Sequence, residues 1–153
     1  MNLTFGFNSV RDVFAKLQRD GTSLQEQGVT ADTFFNFVVT GYSMIDWVRN
    51  DPSLPSSTQG KNAIDALYSD RWLKICGDFA TAIKHFKLTS RTSMVAKTVT
   101  DQGFGVGRFG IGPLGVGEHH IDIELDCGTH VNALELVTGV IETWKDFFQT
   151  HGL

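Results

Sequence analysis

Two strongly apolar helical segments carry charged and amide side chains that such helices do not need for packing. In FFNFVVTGYSMIDWV they are Asn36 and Asp46, and in ICGDFATAIKHF they are Asp78, Lys84 and His85. A charge inside an apolar helix is costly unless it is paired, so these residues either lock a core or form a site. Asp78 and His85 are seven residues apart. At about 100° per residue they share a helix face, about two turns apart. Asp46 falls on the stripe of Phe35, Val39 and Tyr42, and Asn36 on that of Thr40 and Ser43. An acid beside an imidazole orients it for proton transfer. Asp46, Asp78, Lys84 and His85 are therefore the candidate catalytic set, and the enzyme they imply acts on RNA or a nucleotide. The competing reading is a hydrogen-bond network joining the two helices, with Asp46 buried and bonded across. That reading is favoured, because the set holds no nucleophile. Asn36, Tyr42 and Arg108 are the ligand-binding candidates.

A second set lies in HHIDIELDCGTH, where His120, Asp122 and Glu124 alternate with apolar residues and Cys127 and His130 follow. Three nitrogen and oxygen ligands from one strand face suit a divalent metal, which would make the chain a metal-dependent hydrolase. Alternating acids are also the ordinary solvent face of an edge strand. Lys87, Arg91 and Lys97 on the preceding stretch are placed to pair with them across a hairpin.

Three glycine-led pentads precede that strand: GVGRF, GIGPL and GVGEH, over 105–119. They contain G-x-G-x-x-G twice. A dinucleotide fingerprint needs a strand before it and a helix directly after it, whereas here Pro113 and another glycine pair follow. The match is a by-product of the repeat, and no cofactor is expected. The stretch reads as a long loop or irregular hairpin tip, since glycine at this density opposes both helix and packed strand.

The elements that must position these residues follow from periodicity. Ser9 with Asp12 forms a capping-box signature, and Val10, Val13, Phe14 and Leu17 recur at helical spacing up to Gly28. A second helix starts after Thr30, with Val29 and Phe34 placed as a hydrophobic staple. It is apolar on nearly every side as far as Val48, which predicts the centre of the fold. A third runs from about Lys61 to Phe86, with a break near Ser69–Asp70. Its stripe is Ile64, Tyr68, Trp72, Ile75, Phe79, Ile83 and Phe86. Residues 88–100 read as extended and 120–126 as a half-buried strand. A last helix begins at Gly128–Thr129, and its Trp144, Phe147 and Phe148 cover more than one face. An exposed aromatic face there predicts self-association.

The expected architecture is mainly α (α+β): a small bundle of about four helices with a β-hairpin inserted before the last one. One domain spans 1–153, with a helical part at 9–87, an extended glycine-rich hairpin at 88–126 and a C-terminal helix at 129–151. The chain's 153 residues, 41% hydrophobic and 20% charged, suit a globular core of that size. A net charge of −4 and a pI of about 5.6 argue against non-specific coating of nucleic acid. Two cysteines make no disulfide framework, and no signal peptide or membrane span is evident. A cytoplasmic location is the expectation.

The stretches FFNFVVTGYSMIDWV and CGDFATAIKHF, with a final ETWKDFF, resemble a loose group of uncharacterised prokaryotic helical proteins. That arrangement is similar to the HEPN superfamily of helical bundles, often dimeric and often RNA-directed. Catalytic members carry R-x4-6-H, and this chain has no Arg followed by His at that spacing. Arg71 lies far before His85, and Arg108 too far before His119. The resemblance therefore implies an architecture and no catalytic residue. The expected function is a non-catalytic binding or interaction domain, forming a homodimer and taking a small molecule or protein as ligand.

Overall fold

A computed structural model describes residues 3–87, 92–101 and 119–153. The glycine pentads with Arg108, and Arg91 on the extended stretch, lie outside the described residues. Five helices and a three-stranded antiparallel sheet make up the rest, mainly α with a β-hairpin before the last helix. Among the described residues no helix is long and apolar enough to cross a membrane.

Helix α1 (Val10–Gln27) is capped as its sequence implies. Asp12 Oδ2 accepts from Ser9 N at 3.0 Å while Ser9 Oγ accepts from Asp12 N at 3.3 Å. Gly21 lets this helix approach its neighbour: a Cβ there would sit 2.5 Å from Ile141 Cδ1. Helix α2 (Ala31–Asn50) is capped by Thr30 and packs against each of the other four helices. Its buried residues are Phe34, Phe37, Val38, Gly41, Met44, Ile45 and Val48, recurring at steps of three and one. That is one broad face rather than burial on nearly every side, and Phe35, Asn36 and Asp46 point outward.

The expected third helix is two. Asp70 is extended (φ −61°, ψ 134°), so it ends α3 (Lys61–Ser69) and starts α4 (Arg71–His85). Its carboxylate accepts from Trp72 N at 2.9 Å and Leu73 N at 3.0 Å, the capping role that favours Asp at a helix start. The predicted stripe is buried at Ile64 and Ile75 but leaves the core at Ile83 and Phe86, both exposed.

The sheet has the order β1 (Val95–Asp101), β2 (His120–Leu125), β3 (His130–Asn132). Alternation in β2 holds: Ile121, Ile123 and Leu125 are buried, while His120, Asp122 and Glu124 face outward. The short β3 was not foreseen. Residues 126–129 turn the chain back, with Gly128 at φ +83° and its N–H donating to Leu125 O at 2.9 Å. Val131 then pairs with Ile123 and is buried. The last helix, α5 (Ala133–Thr150), accordingly starts after Asn132 rather than at Thr129. Asn132 Oδ1 accepts from Glu135 N at 2.9 Å, and Glu135 Oε2 accepts from Asn132 N at 2.8 Å.

The aromatic residues of α5 do not form an exposed face. Phe147 and Phe148 are each 7% exposed, and Trp144 is fully buried with its Nε1–H donating to Gly41 O at 3.1 Å. Phe148 packs on Phe14 with ring centroids 4.9 Å apart. The chain's own core consumes the surface expected to drive dimerisation.

Candidate functional site

The helical candidates have separate settings. Asp46 is a correction to the expected buried lock: its side chain is 71% exposed, and its nearest charge is Arg49, 3.6 Å away on the same helix. It lies off the α2 face that Met44, Ile45 and Val48 turn inward, so no partner on α4 meets it. Asn36 is likewise exposed. Tyr42 is half-buried, its ring 6.3 Å from that of Tyr68 in an edge-on contact. Lys84 and His85 are exposed in the last turn of α4, where cations complement the helix dipole.

Asp78 alone of the set is buried, at 5% exposure, and it points to the sheet rather than to α2. Its Oδ2 accepts from Met94 N at 2.7 Å, Val95 N at 3.0 Å and Ser93 Oγ at 3.1 Å. It ties α4 to the start of β1 by filling backbone donors that a sheet edge leaves open.

Asp51, just past the end of α2, is a second tie of this kind. It is 4% exposed and accepts from Val10 N at 2.8 Å, Ser53 N at 2.8 Å and Ser53 Oγ at 2.6 Å. It joins the C-terminus of α2 to the N-terminus of α1. Burial pushes its pKa up, and the hydrogen bonds from Ser53 and Val10 outweigh that, leaving it below the ordinary carboxylate value. Asp-Pro-Ser after an apolar helix is an Asx-turn signal that could have revealed it.

The strand candidates do not make a metal centre. Among the described residues no three His, Cys, Asp or Glu side chains are grouped so as to hold an ion. His120, Asp122 and Glu124 share a face, but their side chains are not grouped around a common point. Asp122 is engaged sideways instead, its Oδ2 2.7 Å from Nδ1 of His130 on β3. The hydrogen bond and charge of Asp122, with the charge of Glu124 added, hold the His130 pKa above its ordinary value against a small desolvation effect. Lys97 faces Glu124 in the β1–β2 register, as expected for a hairpin pair.

The two cysteines differ. Cys76 is buried in α4, where desolvation and then the charge of Asp70 push its thiol pKa up, so it is an inert core residue. Cys127 is exposed in the β2–β3 turn, 3.3 Å from Thr129 Oγ1, and hydrogen bonds from the Thr129 side chain and backbone lower its pKa.

A groove of about 760 Å³ lies between the start of α4, β3 and the first half of α5. Arg71, Trp72, His130, Asn132, Glu135 and Glu142 line it. The Trp72 indole lies against Gly139, where any Cβ would collide with the ring. The Arg71 guanidinium lies over the same indole, 4.9 Å from the ring centroid. Arg71 and His130 escaped the sequence reading as a pair because they are 59 positions apart and line one groove only once α4 and β3 both pack on α5. The groove can hold an aromatic or aliphatic body against Trp72 and offer it donors from Arg71 and His130. No known family model, curated protein or solved structure matches the chain.

Proposed function

We propose that this chain is a non-catalytic, cytoplasmic binding domain whose ligand face is the groove between α4, β3 and α5. One observation carries the proposal: the polar chemistry that a catalytic reading needs is dispersed. Asp78 accepts from three groups at the start of β1, while Asp46 and His85 stand exposed on different helices. The groove, in contrast, gathers an aromatic platform and two basic side chains from two elements, α4 and β3. The likeness to HEPN bundles enters this reading only as an architecture, and the missing R-x4-6-H motif agrees with a binding role.

The proposal includes self-association as a homodimer. Its support is an apolar cleft of about 280 Å³ lined by Phe34, Phe35, Val38, Phe79 and Ile83, with Phe35 45% and Ile83 38% exposed. Exposed apolar surface of this kind marks interfaces more often than it is left bare.

The test is native mass spectrometry of the purified protein for a retained ligand, alongside a turnover screen with RNA, nucleotides and phosphoesters. A retained ligand whose binding perturbs Trp72 supports the proposal. Turnover abolished by His85→Gln in a folded variant would replace it with the nucleotide- or RNA-acting enzyme. Metal-dependent turnover lost in His120→Ala would replace it with the hydrolase.

A further inference from the structure

We infer that the groove between α4, β3 and α5 takes an organic carboxylate, held by Arg71 and His130 with the ligand's apolar part on Trp72. This rests on the binding-domain reading above and names the ligand class.

The argument begins at Gly139. Because no side chain stands there, the Trp72 indole settles on α5 and becomes one wall of the groove. The indole then gives the Arg71 guanidinium a surface to stack on. Stacking uses the face of the guanidinium and leaves its N–H edge free. Among the described residues Arg71 makes no ion pair and no hydrogen bond that would occupy that edge. A stacked guanidinium with a free edge is preset for the two parallel bonds that a carboxylate accepts.

His130 supplies the second donor. Its Nδ1 is engaged by Asp122, so Nε2 is the ring nitrogen left to serve the groove. With both nitrogens protonated, the ring adds a positive charge to that of Arg71.

The other charged groups narrow the ligand. Glu135 and Glu142 line the same groove from α5. Glu135 is committed to its cap with Asn132, and Glu142 pairs with Lys145 at 3.0 Å, but both keep their charge. Asp122 and Glu124 stand behind His130. With Asp122 set against His130, Glu142 against Lys145 and Glu124 against Lys97, the charge of Arg71 is offset by Glu135 and the groove is near neutral. Such a groove accommodates a single negative charge and repels a phosphate dianion or a polyphosphate strand. An RNA backbone would need clustered basic residues that the groove lacks. A monocarboxylate with an apolar body fits both the charge and the indole wall.

The experiment titrates the isotope-labelled full chain with phenylacetate, phenylacetamide and inorganic phosphate, followed by NMR at the Trp72 Nε1–H and the His130 ring. The expected result is a saturable shift with phenylacetate and binding at least about tenfold weaker for the neutral amide, the loss expected when a charge-assisted pair is removed. Affinity should fall as pH rises through the His130 pKa, which Asp122 holds above the ordinary histidine value, because the charged ring is the form that binds. Arg71→Ala should abolish the shift with an unchanged melting temperature, since Arg71 is exposed, and Arg71→Lys should restore only part of it.

Equal binding of acid and amide, tighter binding of phosphate, or full binding by Arg71→Ala would overturn the inference. So would the absence of any shift with phenylacetate. A copurified ligand that perturbs Trp72 without needing Arg71 would sink the carboxylate assignment alone and leave the binding-domain reading standing. One that mapped to Phe35 and Ile83 would remove the groove from both.

Discussion

Three aspartates that look alike in sequence, each near or within an apolar helix, have different consequences in the fold. Asp51 is buried and holds the start of α1 through Val10 N, so its removal strands donors that water does not reach. Asp51→Ala should lower stability by about 3 kcal/mol, as measured by urea denaturation. Its folded pKa is depressed, so its contribution is complete above the unfolded value of about 3.9 and is lost as pH falls through the lower folded value. The variant should therefore lose less stability than the parent as pH falls below the ordinary carboxylate value. Asp12 keeps part of that dependence, because N–H groups of Asn8 and Ser9 and the Ser9 hydroxyl also hold its pKa low. Asp46→Ala, at an exposed position, should change stability by no more than about 0.5 kcal/mol, and a larger loss would mean a partner not seen on its surface. Asp78 is the middle case: buried, but tied to a sheet edge rather than to a helix start.

At the scale of elements, helix ends and close contacts decide where the sites lie. Asp70 splits the long apolar pattern into α3 and α4, and the split aims Arg71 and Trp72 at α5 instead of continuing one rod. Gly139→Ala should therefore displace the indole and lower stability by about 1–3 kcal/mol, the usual cost of overpacking. The check is a thermal melt read beside the Trp72 side-chain resonance; an unmoved resonance would show that the helices separate easily. The other end of α4 carries the opposite kind of strain. Phe86 caps it in the left-handed region (φ 62°, ψ −17°) and is 91% exposed. Glycine adopts that conformation without a Cβ clash, so Phe86→Gly should raise stability by about 1 kcal/mol in the same urea assay. A loss would show that the aromatic ring is covered by something in solution.

For the whole molecule, the question is which surface meets another copy. The aromatic residues of α5 are spent on the core around Phe14 and Trp144, so Phe147→Glu should unfold the chain rather than free a monomer. Among the described residues an apolar cleft lies where α2, α4 and the sheet meet, with Phe35 and Ile83 exposed in it. The proposed dimer predicts a concentration-dependent sedimentation coefficient that Phe35→Glu with Ile83→Glu shifts to the monomer value while circular dichroism is unchanged. A parent protein that stays monomeric at about 100 μM would rule the dimer out, since stable homodimers bind well below that concentration.

Local rules made much of the architecture legible. Capping boxes at Ser9 and Thr30, the break at Ser69–Asp70 and the alternation of β2 are all written within a few residues of where they act. Each needs only backbone donors, a short polar side chain and a period of two or three to four residues, so sequence alone determined them. What required the tertiary structure was the outcome of competition between distant groups. Asp46 and Asp78 have the same apolar neighbourhood in sequence, but only packing decides that one turns to water and the other to β1. His120, Asp122 and Glu124 read as ligands until β3 brings His130 beside Asp122. Phe147 and Phe148 read as surplus until the core takes them in, Phe148 against Phe14 of α1. Periodicity tells which residues share a face. It does not tell what that face meets, because burial, pairing and the groove at Arg71 are set by contacts between segments that share no local rule.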